Sequence, residues 1–164
     1  MNIVSNCCAT GFLYKDILHA PFPNPFIWSA MTATDTLFLI KHFNDLNFNN
    51  IEISRSFLHK RPEISFKVRV DDAVDLHYTH YILKRHDTTQ DAPYNVYSED
   101  IEDYVKSKYL TRLQRMDTSC QPTFLILDNK LDMEWSPDDI QELLSIQTAR
   151  ICLFSDKLPT KKRV

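Results

Sequence analysis

The chain holds a single glycine, Gly11, among its 164 residues. Loops that cradle phosphate, of the P-loop or the dinucleotide type, need several glycines at fixed spacing, because the backbone must close tightly around the anion. Kinase-like, GTPase-like and NAD-binding Rossmann readings therefore fall away. A nucleotide or coenzyme would have to be held by side chains and helix amino termini.

The length suits one domain with a proper core. With 43% apolar and 25% charged residues, the composition is that of an ordinary globular protein. The reading is a single α/β domain over residues 1–158 and a basic tail over 159–164. Lys161-Lys162-Arg163 in that tail is the only basic cluster and reads as a solvated end. A net charge of −3 argues against broad nucleic-acid binding. No apolar run approaches the ~18 residues of a membrane span, and the amino terminus lacks signal-peptide order. A cytoplasmic chain with no transmembrane segment is expected. The four cysteines, Cys7, Cys8, Cys120 and Cys152, form no C-x-x-C pair, which disfavours zinc ribbons and thioredoxin-like chemistry.

Periodicity predicts alternating strands and helices. Ile3-Val4 reads as a short buried strand, followed by a polar turn and an amphipathic helix with Phe12, Leu13 and Ile17 on its apolar side. Pro21 to Phe26 is a stiff extended loop. Thr34 reads as the cap of a helix carrying Leu39, Ile40 and Phe43. Strands are predicted at Ile51–Ile53, Ile64–Val70 and Val74–Tyr81, with Asp71-Asp72 turning between the last two. Lys84–Pro93 reads as a loop, and Ser98 as the cap of a long helix. Thr123–Leu127 and Ala149–Phe154 read as buried strands, separated by a helix that starts at Ser136-Pro137-Asp138-Asp139. Strands apolar on both faces, alternating with helices, point to a three-layer domain with a mainly parallel sheet. Ser5-Asn6, Asp128-Asn129 and Ser155-Asp156 would then line the carboxyl edge of that sheet, where ligands bind in open α/β folds.

Two constellations could carry chemistry. Cys7 follows a strand and precedes a helix, a position where the dipole and free N–H groups stabilise a thiolate. A thiolate nucleophile wants a base, and Leu76-His77-Tyr78-Thr79-His80-Tyr81 offers two histidines facing opposite sides of a strand. His80, nearer the strand end, is the candidate base. The plainer readings are a buried apolar thiol and a core histidine bonded to a carbonyl. The second constellation is Lys108, Arg112 and Arg115, which spacings of four and three put on one helical face suited to phosphate or carboxylate. Its plainer reading is a solvated face. The histidine spacing gives no metal site.

Taken in order, Ile3-Val4-Ser5-Asn6-Cys7, Leu13-Tyr14, Pro23-Asn24-Pro25-Phe26, Leu76 to Tyr81 and Tyr109 to Met116 resemble a bacterial family of unknown function associated with exopolysaccharide biosynthesis. Its members show an Asn-Cys turn, a Pro-Phe loop, a His-Tyr motif and an arginine-bearing helix. A more distant similarity is to capsule-biosynthesis acetyltransferase-like proteins that bind coenzyme A. The resemblance runs from Ile3 to Leu127. Cys8-Ala9-Thr10 stand before Gly11 where the family usually has glycine sooner, and Tyr109 stands where tryptophan is usual.

The resemblance implies an enzyme of exopolysaccharide or surface-glycan biosynthesis that transfers an acyl or glycosyl group to a small-molecule or glycan substrate. Cys7 would be the nucleophile or would position the acceptor, and His80 would be the base. Asn6 and Tyr81, their chain neighbours, are assigned to substrate contact. Lys108, Arg112 and Arg115 are assigned to an anionic donor such as coenzyme A or a nucleotide sugar. A Cys-His hydrolase of an amide or ester, and a non-catalytic interaction module with Cys7 buried, are the alternatives.

Overall fold

The computed structural model describes residues 2–56, 65–78, 99–128 and 135–155. Strands β1 (Ile3–Ser5), β2 (Ser29–Ala30), β3 (Ile51–Ser56), β4 (Ser65–Val70), β5 (Val74–Tyr78), β6 (Thr123–Leu127) and β7 (Arg150–Phe154) form two sheets. One is parallel, in the order β1-β6-β7; the other is antiparallel, in the order β2-β5-β4-β3. The chain is thus mixed α/β. The mainly parallel sheet expected from the alternation accounts for three of the seven described strands; the other four pair antiparallel. The reason is local. Asp71 and Asp72 take positive φ (52° and 55°), and the Ala73 N–H bonds back to the Val70 carbonyl, so β4 must return on itself as β5. The two residues of β2 are too few to show a period.

Both sheets bury their apolar faces in one core. Val4, Phe124 and Ile126 from the parallel sheet meet Phe66, Val68, Val70, Val74, Leu76 and Tyr78 from the antiparallel one. On β4 and β5 the alternate residues Lys67, Arg69 and Asp75 pair on the opposite face, with Arg69 gripping Asp75 through two bonds of 2.7 and 3.0 Å. Helices α2 (Ala33–His42), α3 (Glu99–Leu113) and α4 (Pro137–Ser145) add Leu37, Leu39 and Ile40, then Val105, Tyr109 and Leu113, then Ile140 and Leu143. Ser136 caps α4 in a full capping box with Asp139, as its sequence predicts. Thr32 rather than Thr34 caps α2: its hydroxyl accepts the Asp35 N–H and donates to the Asp35 carboxylate.

The first helix differs most from expectation. Its α-helical part, α1 (Ala9–Phe12), widens at once into a π turn over Leu13–Ile17. The buried side carries Thr10, Gly11 and Tyr14, while Phe12 and Ile17 of the expected apolar face are 54% and 70% exposed. Trp28 dictates this. A Cβ on Gly11 would lie 2.4 Å from two indole carbons of Trp28, so only glycine fits beneath that ring. Phe12 and Phe22 flank the same indole edge to face. The residues of the predicted basic tail lie outside the described residues.

Candidate active site at the carboxyl edge of the parallel sheet

Parallel registers bring the three strand ends together. Ser5 pairs with Leu125, and Leu127 pairs with Phe154. The Asp128 N–H continues the ladder to the Phe154 carbonyl, and the Ser155 hydroxyl donates to Asp128 Oδ2 at 2.7 Å. Asn6, Cys7, Asp128 and Ser155 therefore follow adjacent strands at one edge, as the polar pairs in the sequence predict. Asn129 and Asp156 lie outside the described residues.

Asn6 does not face a substrate there. Its Oδ1 accepts the Leu127 N–H and its Nδ2 donates to the Leu127 carbonyl, each at 3.0 Å. The side chain copies a peptide and extends the β1–β6 ladder by one rung. Its own carbonyl accepts the Met31 N–H at 3.0 Å, just beyond β2, and so ties the parallel sheet to the antiparallel one. Only 1% of Asn6 is exposed. It is a positioning residue, and the expected substrate contact is corrected accordingly.

Cys7 sits in the turn between β1 and α1, half-buried, as the apolar-to-polar switch predicts. The buried Ser5 hydroxyl shapes this turn: it contacts Thr10 Oγ1 at 3.1 Å, accepts the Thr10 N–H and donates to the Cys7 carbonyl. Burial pushes the Cys7 thiol up from its ordinary range, and a backbone bond from Ala9 offsets only part of that. Burial thus works against the thiolate expected from a helix dipole, and α1, with only four residues, offers little dipole to offset it. Cys8 occupies the cap position of α1 without a side-chain cap bond.

His80 and Tyr81 lie outside the described residues. His77 is buried on β5, opposite Ala30 on one side and Lys67 on the other. Ala30 precedes Met31, whose N–H is bonded to Asn6, so the backbone links His77 to the Cys7 turn through β2.

The basic stripe divides. Lys108 and Arg115 are exposed, with Lys108 Nζ 5.4 Å from the centre of the Tyr104 ring. Arg112 turns inward and is 6% exposed. Its Nη1 donates to the Ile27 carbonyl at 3.0 Å, and its guanidinium lies 5.2 Å from the centre of the Phe22 ring. Burial drives its pKa down to about 10, Arg115 adds to the fall, and Tyr78 opposes it. Arg112 thus fastens α3 to the Pro21–Trp28 loop, and the expected donor contact is corrected. Asn24 fastens the other side of that loop: its Nδ2 donates to the Ile3 carbonyl at 3.0 Å, and its Oδ1 accepts the Phe26 N–H. Trp28 escaped the sequence reading, and the bonding roles of Asn24 and Ser5 were not visible in it. Of these, only Asn24 between two prolines carried a local signal, that of a turn residue.

Among the described residues, no group of three His, Cys, Asp or Glu side chains could hold a metal ion, and no helix is long and apolar enough to cross a membrane. No protein-family model matches the chain, and no curated protein matches it significantly.

Proposed function

We propose that the chain is a group-transfer enzyme of exopolysaccharide or surface-glycan assembly, with its reaction centre at the carboxyl edge of the parallel sheet. One observation carries the location: three parallel strands end side by side, and the half-buried thiol of Cys7 lies two residues beyond the end of one of them. The glycan pathway rests on the sequence resemblance.

A thiol suits acyl transfer from a coenzyme A thioester, because thioester exchange forms and breaks the same type of bond. Burial disfavours the Cys7 thiolate, so a base is needed to take the proton as the sulfur attacks. His80 is the assigned base. The Cys7 sulfur bonds to the acyl carbon, the carbon–sulfur bond to coenzyme A breaks, and the departing thiolate takes the proton from His80. The acyl group then passes to a hydroxyl of the glycan acceptor, and Cys7 is regenerated. Lys108 and Arg115, the exposed cations of α3, are the assigned donor contacts. Tyr81 keeps its assignment to the substrate.

A second reading, a non-catalytic interaction module, draws on the raised Cys7 thiol and on the structural engagement of Asn6 and Arg112. Thermal shifts with coenzyme A, acetyl-CoA and nucleotide sugars separate the two. A donor at a hundred times its dissociation constant adds about 2.7 kcal/mol of stability. The transferase reading expects such a shift with acetyl-CoA, reduced in Lys108→Ala/Arg115→Ala. The absence of a shift with every donor favours the interaction module, and a shift with nucleotide sugars alone redirects the reading to glycosyl transfer.

A further inference from the structure

An open cavity of about 580 Å³, with no lining residue from the Cys7 turn, lies between the carboxyl ends of α2 and α3. That volume falls in the range of small-ligand sites. The Asn2 side chain donates to the Asp117 carbonyl and its own carbonyl accepts the Thr123 N–H, which brings the segment before the lining residue Thr118 beside the amino end of β1. Cys7 follows the carboxyl end of the same strand.

The lining is unusual for this chain. A quarter of all residues are charged, yet no charged residue lines the cavity. Asn44, Asn47, Asn49 and Gln114 supply side-chain amides around a floor that includes Leu110 and Leu113. Among the described residues, the amides of Asn44, Asn49 and Gln114 hold no hydrogen bond.

The asparagine loop is set in place beforehand. Asp71 accepts the Asn47 N–H at 3.0 Å through one carboxylate oxygen and the Asn50 side-chain amide at 3.1 Å through the other. The Asp71 N–H donates to the Asn50 carbonyl, and the Tyr109 hydroxyl of α3 donates to the Phe48 carbonyl at 3.1 Å. A loop held at both ends and in the middle loses little freedom when a ligand arrives.

The geometry points to a binding site for a neutral saccharide unit. Residues at and just beyond the carboxyl ends of two helices line the cavity, and a helix carboxyl end disfavours phosphate, sulfate and uronate groups. The absence of a lining carboxylate disfavours a cation. Side-chain amides each offer a donor and an acceptor, which matches adjacent sugar hydroxyls, and the leucine floor accepts the C–H face of a ring. This inference stands apart from the Cys7 reading, since neither the residues nor the end of the sheet are shared.

Side-chain amide resonances of the intact protein provide the test, with cellotetraose, maltotetraose and chitotetraose as neutral probes and glucuronate and UDP as charged controls. The resonances of Asn44, Asn49 and Gln114 shift with at least one neutral probe and stay in place with the controls. Asn49→Ala and Gln114→Ala each weaken that binding by roughly three- to tenfold, the loss of one hydrogen bond. Asn49→Asp, which keeps the size and changes the charge, weakens it as well. Cys7→Ser leaves it unchanged, so failure of the acyl-transfer reading leaves this result intact. Three results overturn the proposal: no shift with any neutral probe, equal or larger shifts with a charged control, or parent-like binding by Asn49→Asp and both alanine variants.

Discussion

Asn6 and Leu127 are joined by a pair of hydrogen bonds, amide to peptide, each 3.0 Å long. The pair locks the end of β1 to the end of β6 and so sets where Cys7 emerges. Asn6→Ala leaves a peptide N–H and a peptide carbonyl without their partner, at a cost of about 2–4 kcal/mol. Asn6→Asp keeps an acceptor for the N–H but sets an oxygen against the Leu127 carbonyl, and is destabilised as well. Urea denaturation of the two variants measures both effects. Parent-like midpoints would mean the pair does not hold the strand ends.

Gly11→Ala drives a methyl group into the Trp28 indole. Overpacking of this kind costs about 1–3 kcal/mol. The ring cannot retreat freely, because Trp28 is held at φ 65° and its indole is flanked by Phe12 and Phe22. In the Gly11→Ala/Trp28→Ala pair the methyl group has room, so a double-mutant cycle gives a coupling of opposite sign to the Gly11→Ala cost.

Arg112 and Arg115 separate in a stability measurement. Arg112→Ala removes packing against Phe22 and strips the Ile27 carbonyl of its donor, a loss of about 2–4 kcal/mol. Arg115→Ala stays within about 0.5 kcal/mol of the parent. Arg112→Lys recovers part of the loss, since an ammonium can reach the carbonyl without covering the ring.

Two groups of residues shape the pH dependence. The bond from Arg69, with Lys67 adding to it, holds the Asp75 carboxyl below its ordinary 3.8. Its contribution is therefore present above pH ~4 and is lost as pH falls through the depressed folded value. Asp75→Asn flattens the acid limb of the stability curve. Burial raises the Tyr78 and Tyr109 phenols. Their contribution is complete below the unfolded value near 10 and is lost as pH rises toward the folded values. Tyrosinate absorbance should accordingly stay below the full complement of seven tyrosines until the chain unfolds.

Local signals carried most of the elements. The capping box at Ser136, the aspartate turn at 71–72 and the apolar run of β6 each fix their own geometry, so they were legible residue by residue. The apolar run of β7 showed the strand but not its burial, since β7 is an edge strand whose residues are exposed or half-buried, Phe154 at 62%. So was the convergence of polar strand ends, which needs only parallel pairing. The antiparallel sheet was not legible as a whole, because β2 is two residues long and its partners are set by the core. The site was legible only in outline. Cys7 lies in the turn its neighbours predict, but periodicity cannot show that Asn6 is spent on Leu127, or that a helical arginine leaves its solvated row to satisfy a loop carbonyl. The thiol was misjudged for a related reason: the helix expected to stabilise it gives way after four residues to a π turn, which no periodicity shows.

Peptide mapping of the protein after incubation with acetyl-CoA tests the central claim most directly, and the chain carries its own controls. Cys120 and Cys152 are exposed and report indiscriminate acetylation, while Cys8 is half-buried beside Cys7. The account predicts an acetyl group on Cys7 ahead of the other three cysteines, abolished in Cys7→Ser and strongly slowed in His80→Ala. Acetylation that is absent, that follows exposure onto Cys120 and Cys152, or that is unchanged in His80→Ala would contradict it.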